Sequence, residues 1–159
     1  MKEIKWETSV KVCSTEELPP EEQRLIHAAI EATERSYAPY SHFSVGAAVL
    51  MENGAVVCGS NQENAAYPSG MCAERTALFY AHSQYPQLAV KALAIAARSE
   101  KGLLPSPIPP CGACRQVMLE TEKRSGSAMR ILLYGTQEVY KIEGTGFILP
   151  LSFDADFLK

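Results

Sequence analysis

No apolar run in this sequence of 159 residues approaches the roughly 18 residues that cross a bilayer, so no membrane-spanning helix is expected and a membrane partner is excluded. The opening stretch, MKEIKWETSV, is charged and lacks the apolar core of a secretion signal, which points to the cytoplasm. A basic surplus is also missing. Lys and Arg number 15 against 18 Asp and Glu, for a net charge of −3, and no basic stripe is present. That argues against a nucleic-acid polymer as partner. Internal repeats, low-complexity tracts and linkers are absent. The expected organisation is therefore an N-terminal extension over 1–18, with a possible edge strand, and one domain over 19–159. Cysteine is scarce and odd in number, at five residues. In a reducing compartment that count suits metal ligands or free thiols better than a disulfide framework.

What is present is ordinary globular material, 47% hydrophobic and 21% charged. Residues 4–12 partly alternate apolar and polar, as a short edge strand does. The acids of STEELPPEEQ suit a helix entry, and Leu25, Ile26, Ala29, Ile30 and Thr33 share one face of a helix predicted over 20–37. Two small-residue and β-branched runs near 43–51 and 55–61 flank Asn53-Gly54, a preferred hairpin turn pair. A helix from MCAERTALFYAHSQ follows, with Ser69-Gly70 at its start, and then a buried strand over 89–97. RSEKGLLPSPIPP carries four prolines and reads as a loop. After it come a helix from CGACRQVMLETEKR and strands at RILLYG and EVYKIE. Helices alternating with strands predict a three-layer α/β/α sandwich on a mixed five-stranded sheet. The last two strands are too close for a crossover and should pair antiparallel.

The chemistry lies at two predicted helix starts. Cys72 opens one, and Cys111 and Cys114 open another. Unpaired N–H groups and partial positive charge at a helix N-terminus favour thiolate, the form that binds zinc. Taken alone, Cys111-Gly-Ala-Cys114 suits a redox pair almost as well as a zinc clamp. Cys72-Ala73-Glu74 upstream shifts the balance to metal. A closed structural zinc site needs a fourth side chain, and no Cys or His adjoins the three. Three ligands leave a place for water, whose pKa zinc lowers toward about 7. Glu74, two residues after Cys72, is near enough to take that water's proton. Arg75 and Arg115 follow the two ligand elements, and donation to the sulfurs would restore some acidity to a metal ringed by thiolates.

Ligand-x-Glu followed by Pro-Cys-x-x-Cys is the signature of zinc deaminases. The chain resembles the small three-cysteine cytidine deaminases over roughly 20–155. The stretches that carry the likeness are YAPYSHFSVGAAV, GSNQENAAYPSGMCAERTALF, PPCGACRQVM and ILPLSF. The resemblance implies zinc-dependent hydrolysis of cytidine and 2′-deoxycytidine to the uridine nucleosides and ammonia, as in pyrimidine salvage. It implies one Zn²⁺ per subunit, and a homotetramer with shared active sites. It also implies Phe43, Asn61, Glu63 and the backbone of Ala73 as nucleoside contacts, and Tyr67 and Phe153 as contacts lent to a neighbouring subunit. Among related activities, Asn61-x-Glu63 with Phe43 suits a nucleoside better than blasticidin S, and a free base needs no ribose ligands. Cys13, Cys58, His27, His42 and His82 are expected to play no ligand role.

Overall fold

The computed structural model describes residues 1–158; Lys159, the last residue of the expected domain, lies outside the described residues. Its strands are β1 Lys11–Cys13, β2 Ser44–Met51, β3 Val56–Ser60, β4 Val90–Ser99, β5 Gly102–Leu103, β6 Arg130–Tyr134 and β7 Val139–Glu143. Its α-helices are α1 Pro20–Ala32, α2 Ala73–Gln84 and α3 Gly112–Ser125. No helix among the described residues is long and apolar enough to cross a membrane.

The strand order is β1-β7-β6-β4-β2-β3, with β5 paired to β4. Only β4 and β6 pair in parallel, and β6 with β7 is antiparallel as predicted. The sheet is three-layered and mixed as expected, but it has seven strands rather than five. The two additions are short. β5 folds back on β4 through Arg98↔Leu103 and Ser99↔Gly102, inside the segment predicted to be all loop. β1 pairs with β7 over only Lys11–Cys13, not over the expected 4–12. The preceding apolar residues Ile4 and Trp6 remain exposed, so nothing rewards extending that strand.

Alternation along the strands builds the layers. Ala47, Val49, Met51, Leu93, Ile95, Ile131 and Leu133 face α2 and α3. Ala48, Leu50, Ala92, Ala94, Ala96 and Leu132 face α1 through Leu25, Ile26 and Ala29. Burial on both faces explains why β2 and β4 read as nearly continuous small apolar runs. The helices also ride close to the sheet. A Cβ at Gly46 would lie 2.1 Å from the Ala29 carbonyl oxygen, and one at Gly59 would lie 2.5 Å from the Ala77 nitrogen.

The connectivity places the site. β2 runs antiparallel to both β3 and β4, so β3 and β4 point the same way. β3 leads into α2 and β4 leads, through β5, into α3, and both helices pack on one face. Their N-termini therefore emerge together at the carboxyl ends of the strands, where α/β sheets commonly hold their ligands.

One charged group is buried deep in the other layer. Glu22 is 1% exposed, and Lys141 Nζ donates to both of its carboxylate oxygens at 2.9 Å, with Arg130 Nε 3.2 Å from Oε1. This pair ties α1 to β7 and β6. Lys141→Met strips the buried carboxylate of its main partner and should cost about 3–5 kcal/mol in denaturant unfolding. A loss below about 1 kcal/mol would show that Arg130 alone satisfies Glu22.

Candidate active site

α2 and α3 each begin at a cysteine. Cys72 and Cys111 are the N-cap residues, both with extended backbone, and Cys114 occupies the first turn of α3. The expected Ser69-Gly70 cap is not used. Tyr67–Ser69 forms its own 3₁₀ turn, and the helix cap falls three residues later, at Cys72. The Sγ atoms of Cys72, Cys111 and Cys114 lie within 4.8 Å of one another. Cys72 and Cys111 are 3.8 Å apart, and Cys111 and Cys114 3.4 Å. Four ligands arranged tetrahedrally at a Zn–S distance of about 2.3 Å stand about 3.8 Å apart, so the cluster has the span of three corners of a zinc site. No fourth Cys, His, Asp or Glu joins them among the described residues.

The electrostatics favour one thiolate, on Cys72. Cys72 is pulled down to about 5, chiefly by the hydrogen bond from the Cys114 thiol; burial opposes this, and the Arg75 and Cys111 bonds add to the lowering. Cys114 is pushed up by that same bond and by burial. Arg75 Nη2 donates to Cys72 Sγ at 3.4 Å, as expected. Arg115 does not meet its expectation. Its Nε donates to the Pro110 carbonyl at 2.9 Å and its Nη1 to the Ile148 carbonyl at 2.8 Å, so the guanidinium ties the cysteine loop to the chain after β7.

Glu74 follows on the first turn of α2 and is 5% exposed. Burial, and then the charge of Cys72, hold its carboxyl above the usual range. Ala73 is fully buried, and its amide is one of the first-turn N–H groups that a helix leaves without an internal acceptor.

A cleft of about 510 Å³ opens beside Cys72 and Arg75, walled by Tyr40, Ser41, Asn61, Gln62, Glu63, Asn64, Tyr67, Gly70 and Met71. That volume is in the range of small-molecule sites. Two predicted contacts, Asn61 and Glu63, are already heavily bonded. Asn61 Oδ1 accepts from Ser36 Oγ at 2.6 Å and from the Val45 amide at 2.8 Å, while Nδ2 donates to the Phe43 carbonyl at 2.9 Å. One N–H of Asn61 is left for a ligand. Glu63 accepts from the Ser41 hydroxyl and from the amides of Tyr40 and Ser41 at 2.9 and 3.3 Å. The Ser41 bond, followed by the Tyr40 amide, holds Glu63 below the usual carboxylate range. Phe43 immediately precedes β2 and is tied to the cleft through its backbone, by the bond to Asn61 and by its own N–H to Ser41 Oγ at 3.1 Å.

Tyr67 is 79% exposed on the cleft wall. Phe153 is not among the lining residues. It is 60% exposed, stacks on Phe157 with centroids 5.6 Å apart, and accepts through its carbonyl from Gln116 of α3. Sequence reasoning missed Ser36 and Ser41. Cys13 and Cys58 lie outside the cluster, their thiols directed at the carbonyls of Val139 and Ala28 and pushed up mainly by burial.

Residues 19–127 match the family model of the cytidine and deoxycytidylate deaminase zinc-binding region. The chain is 53% identical over 98 residues to a cytidine deaminase of Halalkalibacterium halodurans, covering 62% of this chain and 70% of that one. To a cytidine deaminase of Mycobacterium tuberculosis it is 42% identical over 130 residues, covering 82% and 87%. The solved structure of a cytidine deaminase from Burkholderia pseudomallei superposes with a TM-score of 0.70 at 40% identity, covering 82% of this chain and 97% of that one.

Proposed function

The chain belongs to the cytidine and deoxycytidylate deaminase family, and from that membership we propose that it hydrolyses the C4 amino group of cytidine and 2′-deoxycytidine, yielding the uridine nucleosides and ammonia, a reaction of pyrimidine salvage. The observation that carries the reading is the convergence of three thiols at two helix starts with a buried carboxyl, Glu74, two residues beyond Cys72. Cys72, Cys111 and Cys114 would hold one zinc ion, which when bound supplies Lewis acidity and lowers the pKa of water toward about 7.

The remaining work falls to the chain's own side chains. Glu74 takes one proton from the attacking water and delivers it to ring N3 as the oxygen bonds to C4; it then takes the remaining proton from the C4 hydroxyl and gives it to the exocyclic amine, which leaves as ammonia as the C4–N bond breaks. Its burial supports this role, because a carboxyl held above its usual range gives up and regains a proton nearer neutrality. Arg75 draws charge from the Cys72 sulfur. The remaining N–H of Asn61 donates to one ribose oxygen, Glu63 accepts from a ribose hydroxyl, Phe43 packs on the base, and the Ala73 backbone contacts it. The exposure of Tyr67 and Phe153 suits rings that pack against another subunit, and we read the working form as a homotetramer with shared sites.

A substrate panel tests the proposal. Zinc-loaded protein is assayed with cytidine, 2′-deoxycytidine, cytosine, blasticidin S and single-stranded DNA. Absorbance loss is expected for the first two alone; activity confined to the last two would overturn the reading. Sedimentation velocity tests the tetramer separately.

A further inference from the structure

Residues 38–43 form a tight turn ahead of β2. The His42 amide donates to the Ala38 carbonyl at 3.0 Å, and His42 itself has a φ of +54°, the one non-glycine residue with positive φ among those described. Such a backbone persists only where its surroundings hold it. Ser41 supplies much of the hold. Its hydroxyl proton goes to Glu63 Oε1, 22 residues away in sequence, while its oxygen accepts the Phe43 N–H at 3.1 Å. A hydroxyl has one proton, and a carboxylate can only accept, so the direction of both bonds is determined. The Phe43 amide thus fixes the rotor that points Ser41 at Glu63.

A carboxylate offers about four lone-pair sites. The amides of Tyr40 and Ser41 occupy those of Oε2, and the Ser41 hydroxyl occupies one on Oε1. One position on Oε1 remains, and Ser41, Glu63 and Asn61 line the same cleft as Cys72. We propose that Ser41 is a positioning residue that orients the Glu63 carboxylate so that its one open lone pair meets a ribose hydroxyl. Ser41 acts through Glu63 and touches no reacting atom. The inference rests on Glu63 being a ribose contact, as read above.

Steady-state kinetics of the zinc-loaded protein separate the inference from that reading. Ser41→Ala should raise KM for cytidine about tenfold, the effect of losing one hydrogen bond to a charged group, while kcat changes less than about threefold. Ser41→Thr retains the hydroxyl and should restore KM to within about threefold of native. With 2′,3′-dideoxycytidine, as substrate or competitor, Ser41→Ala should change affinity less than about twofold, because the 2′- and 3′-hydroxyls, the ones Glu63 would hold, are both missing. Glu63→Gln reports on the underlying reading and should raise the cytidine KM at least as much as Ser41→Ala. If Glu63→Gln leaves KM unchanged, Glu63 is not a ribose contact and both ideas fall. If Glu63→Gln raises KM and Ser41→Ala does not, the inference alone falls. Equal losses with cytidine and the dideoxy analogue, or no rescue by Thr, would mean that Ser41 merely holds the turn together, and would also overturn it.

Discussion

Glu74→Gln is expected to give a protein that folds and retains zinc but turns cytidine over at least about a thousandfold more slowly, within the range general acid–base catalysis supplies. The substitution is nearly isosteric and leaves Cys72, Cys111 and Cys114 untouched. The side chain is 5% exposed, and its carboxyl is pushed up mainly by burial, so the charged form costs free energy in the native state. A neutral amide removes that cost, and the variant should melt at or above the native temperature. An unfolding explanation for lost activity is thereby separable from a chemical one. Three measurements decide: zinc per chain, melting temperature, and kcat at saturating cytidine. Turnover within about tenfold of native in a zinc-loaded variant would remove Glu74 from the proton path.

The elements on which this prediction stands were legible because they are written in local chemistry. Asn53-Gly54 specified the β2–β3 hairpin, and Gly54 adopts φ +84° in the turn. The small apolar runs marked strands buried on both faces, and the two cysteine-bearing helix starts fell at the ends of strands. What escaped depends on partners distant in sequence. Glu22 read as an acid favouring a helix N-terminus, yet it is a buried ion-pair partner of Lys141, 119 residues away. Arg115 looked like a sulfur donor by adjacency, but the chain after β7 brings the Ile148 carbonyl to it. β5 lay unseen in a proline-rich segment because two residues acquire strand geometry only from β4. The Ser41–Glu63 bond needed the β2–β3 hairpin to bring its ends together. Cysteine spacing could identify a metal mount, whereas the bonds that hold Glu63 come from residues 22 and 23 positions away that only the fold brings to it.

That mount also couples the metal to the fold, and the second large effect follows from the coupling. Zinc held by Cys72, Cys111 and Cys114 clamps the starts of α2 and α3 to each other across one face of the sheet. Without the ion, thiols within 4.8 Å of one another have only weak S–H bonds to share, and any second thiolate repels the first. A ligand that binds only the native state adds about 4 kcal/mol when present at a thousandfold excess over its dissociation constant. In a chain of this length that is about 8–16 °C of melting temperature. Chelator-dialysed native protein should therefore melt about 8–16 °C below the zinc-loaded form and lose its activity, and both should return with added zinc. Cys114→Ala removes the buried ligand, and its melting temperature should match that of the chelated protein with or without added zinc. Cys58→Ala, altering a half-buried thiol outside the cluster, should retain full zinc and respond to chelation as the native chain does. A chelated protein that keeps both its melting temperature and its turnover would show that the three cysteines are neither a clamp nor a catalytic mount.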